Sequence, residues 1–321
     1  KKMSLKNRLL LITALIITFS ISLSNIITMT YSRNRMIRFS EEQIGNTIDQ
    51  VSKNVREVLV SRVYTLSNLL MRDENIYNML KYKAFEQADS LPTLPNMGDN
   101  LKAKKVLFSG YITRKYLIPT SDIKIVALVS SNGETIAVSY SDDFTPESLN
   151  TIQNLVKETQ ESNLTAVYVP TQKNIFGFRA GYGIRYNHII LAGVSLIRPD
   201  TGEKFGTAVF AIPEVDLYNT YSNIKLGITD EIFVCDDKGN LISSSDSEKL
   251  EYLRVEDQYT EVIQNNETGI EYIDGNGKQI MVVIRHIYGT PWVAAGKVPV
   301  GEMSQNVNVL ITLTLLMITV G

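Results

Sequence analysis

The densest supply of side chains able to hold a small molecule lies in residues 176–186, Phe176-Gly-Phe-Arg-Ala-Gly-Tyr-Gly-Ile-Arg-Tyr186. Read as a strand, its alternation sets Arg179 and Arg185 on one face with Gly177, Gly181 and Gly183. Phe176, Phe178, Tyr182, Ile184 and Tyr186 share the other face. A cationic face thinned by glycines admits an anion close to the backbone, and an aromatic face stacks a ring. A solvated arginine face over an aromatic core is the plainer alternative. The candidate ligand contacts are Arg179, Tyr182, Arg185 and Tyr186, with Tyr168 of the preceding strand.

Catalytic and metal chemistry find little support. The chain has no G-x-S-x-G elbow, no phosphate-cradling G-x-x-x-x-G-K-[ST], no H-E-x-x-H and no EF-hand loop. His188 and His286, the two histidines, stand almost a hundred positions apart and read as strand residues. Asp236-Asp237 and Asp274-Gly-Asn-Gly277 offer oxygens, yet each sits where a tight turn needs positive φ. Cys235, the single cysteine, lies in an apolar run and is expected to be buried and inert. No catalytic residue, metal site or cofactor is expected in this chain.

The elements that must position these residues occupy unequal parts of a 321-residue chain with net charge −2. A near-neutral balance argues against nucleic acid as a partner, which demands a basic surface. The mean hydropathy of −0.02 averages very different segments. Residues 9–32 carry no charge and suffice as a helix to cross a roughly 30 Å hydrocarbon layer. Lys1, Lys2, Lys6 and Arg8 precede them, which sets residues 1–8 in the cytoplasm. Residues 304–321 are uncharged and read as a second span cut short, returning the chain to its starting side. Residues 33–303 then form one extracytoplasmic loop, and the chain is a piece of a larger, two-pass membrane protein.

Within the loop, residues 35–81 read as one long helix. Ile44, Ile48, Val51, Val55 and Val58 step by 4, 3, 4 and 3, and Leu59, Val63, Leu66 and Leu70 continue the stripe with a shifted phase. This spacing supports both backing of the chain's own domain and a dimer stalk at Ile44, Ile48, Val51, Val55 and Val58. Residues 102–114 and 146–162 read as further helices. Strands are expected at 123–129, 135–140, 166–169, 176–186, 189–197 and 206–212, then at 232–235, 241–242, 269–273, 279–287 and 292–298. The two sets repeat each other. Val129-Ser-Ser-Asn-Gly133 matches Cys235-Asp-Asp-Lys-Gly239 at an offset of 106, and Ala211-Ile-Pro213 matches Lys297-Val-Pro299 at an offset of 86.

This order, a long helix from an anchor, a larger α/β module, a smaller one and a return to the membrane, resembles the double Cache sensor region of bacterial receptors. The most specific segments are Ile232-Phe-Val-Cys-Asp-Asp-Lys-Gly-Asn-Leu-Ile-Ser-Ser244 and Tyr288-Gly-Thr-Pro-Trp292-Val-Ala-Ala-Gly-Lys-Val-Pro299. The stretch from Ser40 to Val55 is similar to YesM-like sensor histidine kinases. The resemblance implies a PAS-like α/β fold with two antiparallel sheets on the long helix, a membrane-distal module at 82–222 and a membrane-proximal module at 223–303. It implies a homodimer that binds a small ligand outside and passes a signal to a kinase module, absent here, which would use ATP and phosphorylate a cytoplasmic response regulator. A chemotaxis receptor, a cyclic-dinucleotide cyclase or phosphodiesterase, and a surface binding protein are the other readings. Double Cache sensors for amino acids resemble one another in an acidic residue near the end of the distal module's last strand. Ala211 stands there in this chain, and an alanine cannot pair an ammonium, so a free α-amino acid is disfavoured.

Overall fold

A computed structural model of the chain describes residues 5–83, 101–117, 123–138, 144–162, 164–178, 186–246, 248–251, 253–265, 268–275 and 277–303. The expected second span at 304–321 lies outside them. Helix α1 (Leu5–Arg56) is 52 residues long, so it extends about 78 Å without a break. Its apolar first part is not buried among the described residues and is long and apolar enough to cross a membrane.

The phase shift in the apolar stripe has a visible cause. A single π-helical turn, Glu57–Ser61, follows α1 and inserts an extra residue into the winding. Beyond it α2 (Arg62–Met71) resumes the helix on a new azimuth. The single expected helix then ends early. Asp73 turns the chain and caps α3 (Glu74–Tyr82), its carboxylate accepting from the Asn75 and Ile76 backbone N–H groups. The same carboxylate receives the Tyr111 and Tyr116 hydroxyls and the Lys115 ammonium, which ties α3 to α4 (Leu101–Ile112) and the π turn after it.

Two five-stranded antiparallel sheets follow. The first joins β1 (Lys124–Ser130), β2 (Thr135–Ala137), β3 (Ala166–Lys173), β4 (His188–Ile197) and β5 (Lys204–Pro213) in the order β2-β1-β5-β4-β3. The second joins β6 (Glu231–Asp236), β7 (Leu241–Ser244), β8 (Gly269–Gly275), β9 (Lys278–His286) and β10 (Trp292–Pro299) in the order β7-β6-β10-β9-β8. The orders correspond strand for strand, and so does the register. The pairs Ala127–Val209, Leu128–Ala208 and Val129–Thr207 map through the offsets of 106 and 86 onto Phe233–Ala295, Val234–Ala294 and Cys235–Val293. Gly133 and Gly239 close equivalent hairpins at φ 84° and 79°. Asp236 is a turn residue as expected, its Oδ1 accepting from the Lys238 and Asn240 N–H groups.

Each sheet has a helix on either side. The inner faces lie against the long helical spine, α1 on the second sheet and α2 and α3 on the first, in one continuous core. Ile48, Val51 and Val55 are completely buried there. Each such side chain contributes on the order of 2 kcal/mol. The backing role of the stripe is therefore seen, and it corrects the dimer reading. Ile44, Ile48, Val51, Val55 and Val58 are covered by the chain's own second sheet, so they are not free to meet a second copy. Close approach is secured at Gly296, where a Cβ would fall 2.5 Å from Ile48 Cδ1. On the outer faces, α5 (Pro146–Glu161) covers the first sheet and the shorter α7 (Asp257–Asn265), which the sequence reading missed, covers the second. Each sheet ends in a Pro that leads into a short helix, α6 (Glu214–Tyr218) after Pro213 and α8 (Val300–Met303) after Pro299.

Candidate functional site

The outer face of the first sheet carries one of the expected ligand residues, Tyr186. Val126, Ala127, Val129, Ile189, Leu191, Val209 and Ala211 form its floor, and Ile152, Leu155 and Val156 of α5 form one wall. Gly193 lets α5 come close, since a Cβ there would lie 2.2 Å from Thr159 Oγ1. The other wall is the start of the 176–186 segment. Phe176 and Phe178 stack at 5.5 Å, and Phe144 meets Phe176 edge-on at 6.1 Å.

The expected strand at 176–186 is not formed where it is described. Residues 174–178 make a turn, with Gly177 at φ 67°. The cause is Asn174, a buried side chain that the sequence reading overlooked. Its amide donates to the carbonyls of Phe178 (2.9 Å) and Tyr186 (2.8 Å), while its Oδ1 accepts from the Phe178 N–H (3.1 Å). The Tyr186 N–H also donates to the Phe178 carbonyl at 3.1 Å. One amide thus ties Phe178 to Tyr186. Phe176 and Phe178 share the apolar side, as alternation predicted, but through a turn.

Of the predicted site residues, Tyr168 and Tyr186 are described, and they lie on opposite faces of the sheet. Arg179, Tyr182 and Arg185 lie outside the described residues. Tyr186 is half-buried against the outer cluster. Tyr168 falls on the opposite face of the sheet, in the inner core. Its ring meets Trp292 edge-on at 5.7 Å, its hydroxyl donates to the Leu59 carbonyl at 3.4 Å, and burial pushes its phenol pKa up. It borders a recess of about 680 Å³ between α2, the start of β3 and the turn at Thr290 and Pro291.

Other groups singled out in the sequence hold structural positions. Cys235 is fully buried and its thiol pKa is raised by that burial. His188 pairs with Lys173 at the sheet's edge, and burial, then the Lys173 charge, lower its pKa. His286 stands edge-on to Tyr288 at 5.3 Å, and its backbone carbonyl accepts from Ser52 Oγ on α1 at 2.8 Å. Among the described residues no cluster of three metal-ligating side chains occurs.

The sheets are stitched together at their junction. Glu214, at the start of α6, accepts from Ser243 Oγ at 2.5 Å, and Ser243 also bonds the Tyr221 hydroxyl. Burial pushes the Glu214 carboxyl up to about 7, against the pull of Ser243. Thr171 of β3 donates to the Ile242 carbonyl of β7.

With this architecture in view, the whole of residues 32–307 matches the Cache domain. The chain belongs to the Cache family. Cache domains are extracellular sensor domains of membrane receptors, and here one is joined to an apolar N-terminal helix of membrane-spanning length. Among solved structures, the ligand-binding domain of Mlp24 with asparagine shares the fold at a TM-score of 0.54 and 11% identity, covering 85% of this chain and 99% of that one. The ligand-binding domain of the Pseudomonas fluorescens chemoreceptor CtaA, in complex with L-isoleucine, does so at 0.53 and 15%, covering 85% and 98%. That of the Campylobacter jejuni chemoreceptor Tlp3, in complex with 4-methylisoleucine, does so at 0.53 and 14%, covering 84% and 94%. No curated protein sequence matches the chain. Ala211 of this Cache domain is buried on the outer face, paired with Leu191 and Lys124, and offers no charge to a ligand.

Proposed function

We propose that the chain is the extracytoplasmic ligand-sensing and transmembrane signalling region of a two-component sensor histidine kinase, built as two tandem Cache modules at 82–222 and 223–303. The observation that carries this reading is the unbroken helix α1, which runs from a membrane-length apolar segment straight into the stripe gripped by the second sheet. A small ligand is taken at the outer face of the first sheet, between α5 and the segment tied by Asn174, with Arg179, Tyr182, Arg185 and Tyr186 as its contacts. Residues 9–32 and 304–321 are the two spans. The missing part would hold ATP and phosphorylate the response regulator. The apolar surroundings of Ala211 argue against a free α-amino acid, although the neighbours named above were solved with amino acids or a close analogue.

A homodimer would have to use the exposed side of α1. Phe39, Gln43, Asn46, Gln50 and Lys53 recur there at steps of 4, 3, 4 and 3. Phe39→Cys and Gln43→Cys are expected to cross-link in membranes while Val51→Cys is not; the reverse pattern would overturn this dimer. A thermal-shift screen of the full chain against carbohydrates, carboxylates, peptides and α-amino acids identifies the ligand class. The coding sequence beyond Gly321 tests the output. A phosphoacceptor-histidine box supports a kinase, and a methyl-accepting heptad array or a GGDEF signature rejects it. The chemoreceptor reading is favoured by one observation, that the solved neighbours named above include chemoreceptor domains.

A further inference from the structure

The outer face of the second sheet is built differently from that of the first. Where the first sheet has Ala211, the second has Lys297, and in register with it stands Glu231. Lys297 Nζ and Lys249 Nζ both lie 2.7 Å from Glu231 Oε2, while Ser244 Oγ donates to the other Glu231 oxygen at 3.3 Å. The Glu231 carboxylate is therefore held from three directions, and its side chain is only 10% exposed. A second carboxylate completes the group from outside. Glu256 Oε1 lies 3.3 Å from Lys249 and 3.7 Å from Lys297, and its side chain is 52% exposed. A cavity of about 410 Å³ opens onto this cluster, with Phe233, Leu241, Val255 and Tyr259 as its apolar wall. The Lys297 ammonium sits over the Tyr259 ring, 4.7 Å from its centre.

We infer that this cavity is a second ligand site, separate from the first sheet's, and that it takes a small monocarboxylate with a short apolar body. The charge balance makes the case. Glu231 is fixed and, though bonded to both lysines, offsets only one of their two charges; the second charge is offset by Glu256, 3.3 Å from Lys249 and 3.7 Å from Lys297 at the mouth of the cavity. Glu256 thus stands where a ligand carboxylate would stand. When it swings into water, two ammonium groups and one carboxylate remain at the cluster, and the exposed Arg254–Asp257 pair that also lines the cavity adds no net charge, which leaves +1 to match one anionic oxygen pair. A ligand carboxylate would gain charge-assisted hydrogen bonds from both lysines. Its hydrocarbon part would lie on Phe233, Leu241 and Tyr259. A dianion would leave one charge uncompensated beside Glu231, and a cation would meet both lysines.

The test uses the full chain in nanodiscs, titrated with sodium butyrate at constant ionic strength and followed by calorimetry and by thermal shift, with butylammonium chloride as the control. Saturable binding of butyrate and none of butylammonium is expected. Glu256→Gln removes the competing carboxylate without stripping a buried group of its partner, and should tighten butyrate binding several-fold. Lys297→Gln should weaken it by about tenfold, the size of one charge-assisted hydrogen bond, in protein whose circular dichroism is unchanged. Absence of saturable butyrate binding in both the parent chain and Glu256→Gln overturns the site. So does an equal response to butylammonium, or a Glu256→Gln variant that binds more weakly than the parent. None of these outcomes depends on whether the parent protein is a kinase or a chemoreceptor.

Discussion

The two sheets share strand order and register, yet their outer faces have taken opposite courses. The first is apolar from Val126 to Ala211, closed by Phe176 and Phe178 and by a helix drawn in over Gly193. The second carries a lysine and a glutamate in register and covers them with a helix of nine residues, where the first has sixteen. Immediately after each closing proline the contrast is inverted: Pro213 is followed by the buried carboxyl Glu214, and Pro299 by the apolar Val300. A polar group is thus buried at each position where a partner exists. Lys297 has Glu231, and Glu214 has Ser243.

The sharpest way to break this comparison is to move a charge between the sheets. Ala211→Lys puts an ammonium at a position 1% exposed, in register with Lys124. An unpartnered buried charge of this kind is expected to cost about 3–5 kcal/mol in urea unfolding. Adding Lys124→Glu, which copies the Glu231–Lys297 pair, should recover part of the loss. A cost of Ala211→Lys below about 1 kcal/mol would show that the outer faces do not differ as described.

Glu214 tests the same rule at the junction. Its carboxyl is raised to about 7 by burial, so it favours folding while protonated. That contribution is fully present below the ordinary glutamate value and is lost as pH rises through about 7. Glu214→Gln stays neutral throughout and keeps an acceptor for Ser243. It should match the parent at pH 4 and exceed its stability by about 3 kcal/mol at pH 9. Equal pH dependence in the two proteins would assign the junction's stability elsewhere.

Asn174 sharpens the first sheet's side of the contrast. Asn174→Ala leaves the Phe178 N–H and the Phe178 and Tyr186 carbonyls without their amide partner. A loss of about 1–3 kcal/mol is expected, together with faster proteolysis between 178 and 186. Unchanged proteolysis would mean that the amide does not hold the segment.

The smallest effect belongs to Glu256. Burial acts to raise its carboxyl pKa, but Lys297 and Lys249 outweigh this and hold it below the usual range. Its contribution is therefore present above the ordinary carboxylate value and fades as pH falls through the lowered one. Glu256→Gln should cost less than about 1 kcal/mol at pH 7, as befits a half-exposed pair, and progressively less as pH falls below the ordinary carboxylate range. A larger cost at neutral pH would make Glu256 a structural strut.

Much of the framework was legible in the residues. Hairpins announced by Asn132-Gly133 and by Asp236 to Gly239 form as expected, because positive φ at a glycine is a local demand. The stripe from Ile44 to Val58, and its change of phase at Leu59, marked the place where the π turn sits. What that stripe touches was not legible, since the same spacing serves a sheet or a second helix. Asn174 escaped because an amide between Lys173 and Ile175 interrupts no pattern, and its three bonds span twelve residues. The group around Lys297 escaped for a related reason. Glu231, Lys249 and Lys297 are scattered over three elements, Glu256 lies just before α7, and the four meet only when β6 and β10 pair.

The rod formed by α1 has a mechanical consequence. Its far end is seized by β9 and β10 along a row of completely buried side chains, so that end moves only with the sheet as a body. With a free arm of about 58 Å from Leu5 to Ile44, each degree of tilt imposed by the sheet sweeps the opposite end through about 1 Å. Angular change too slight to disturb a single side-chain contact is thereby converted to a displacement of atomic size at the other end of the lever.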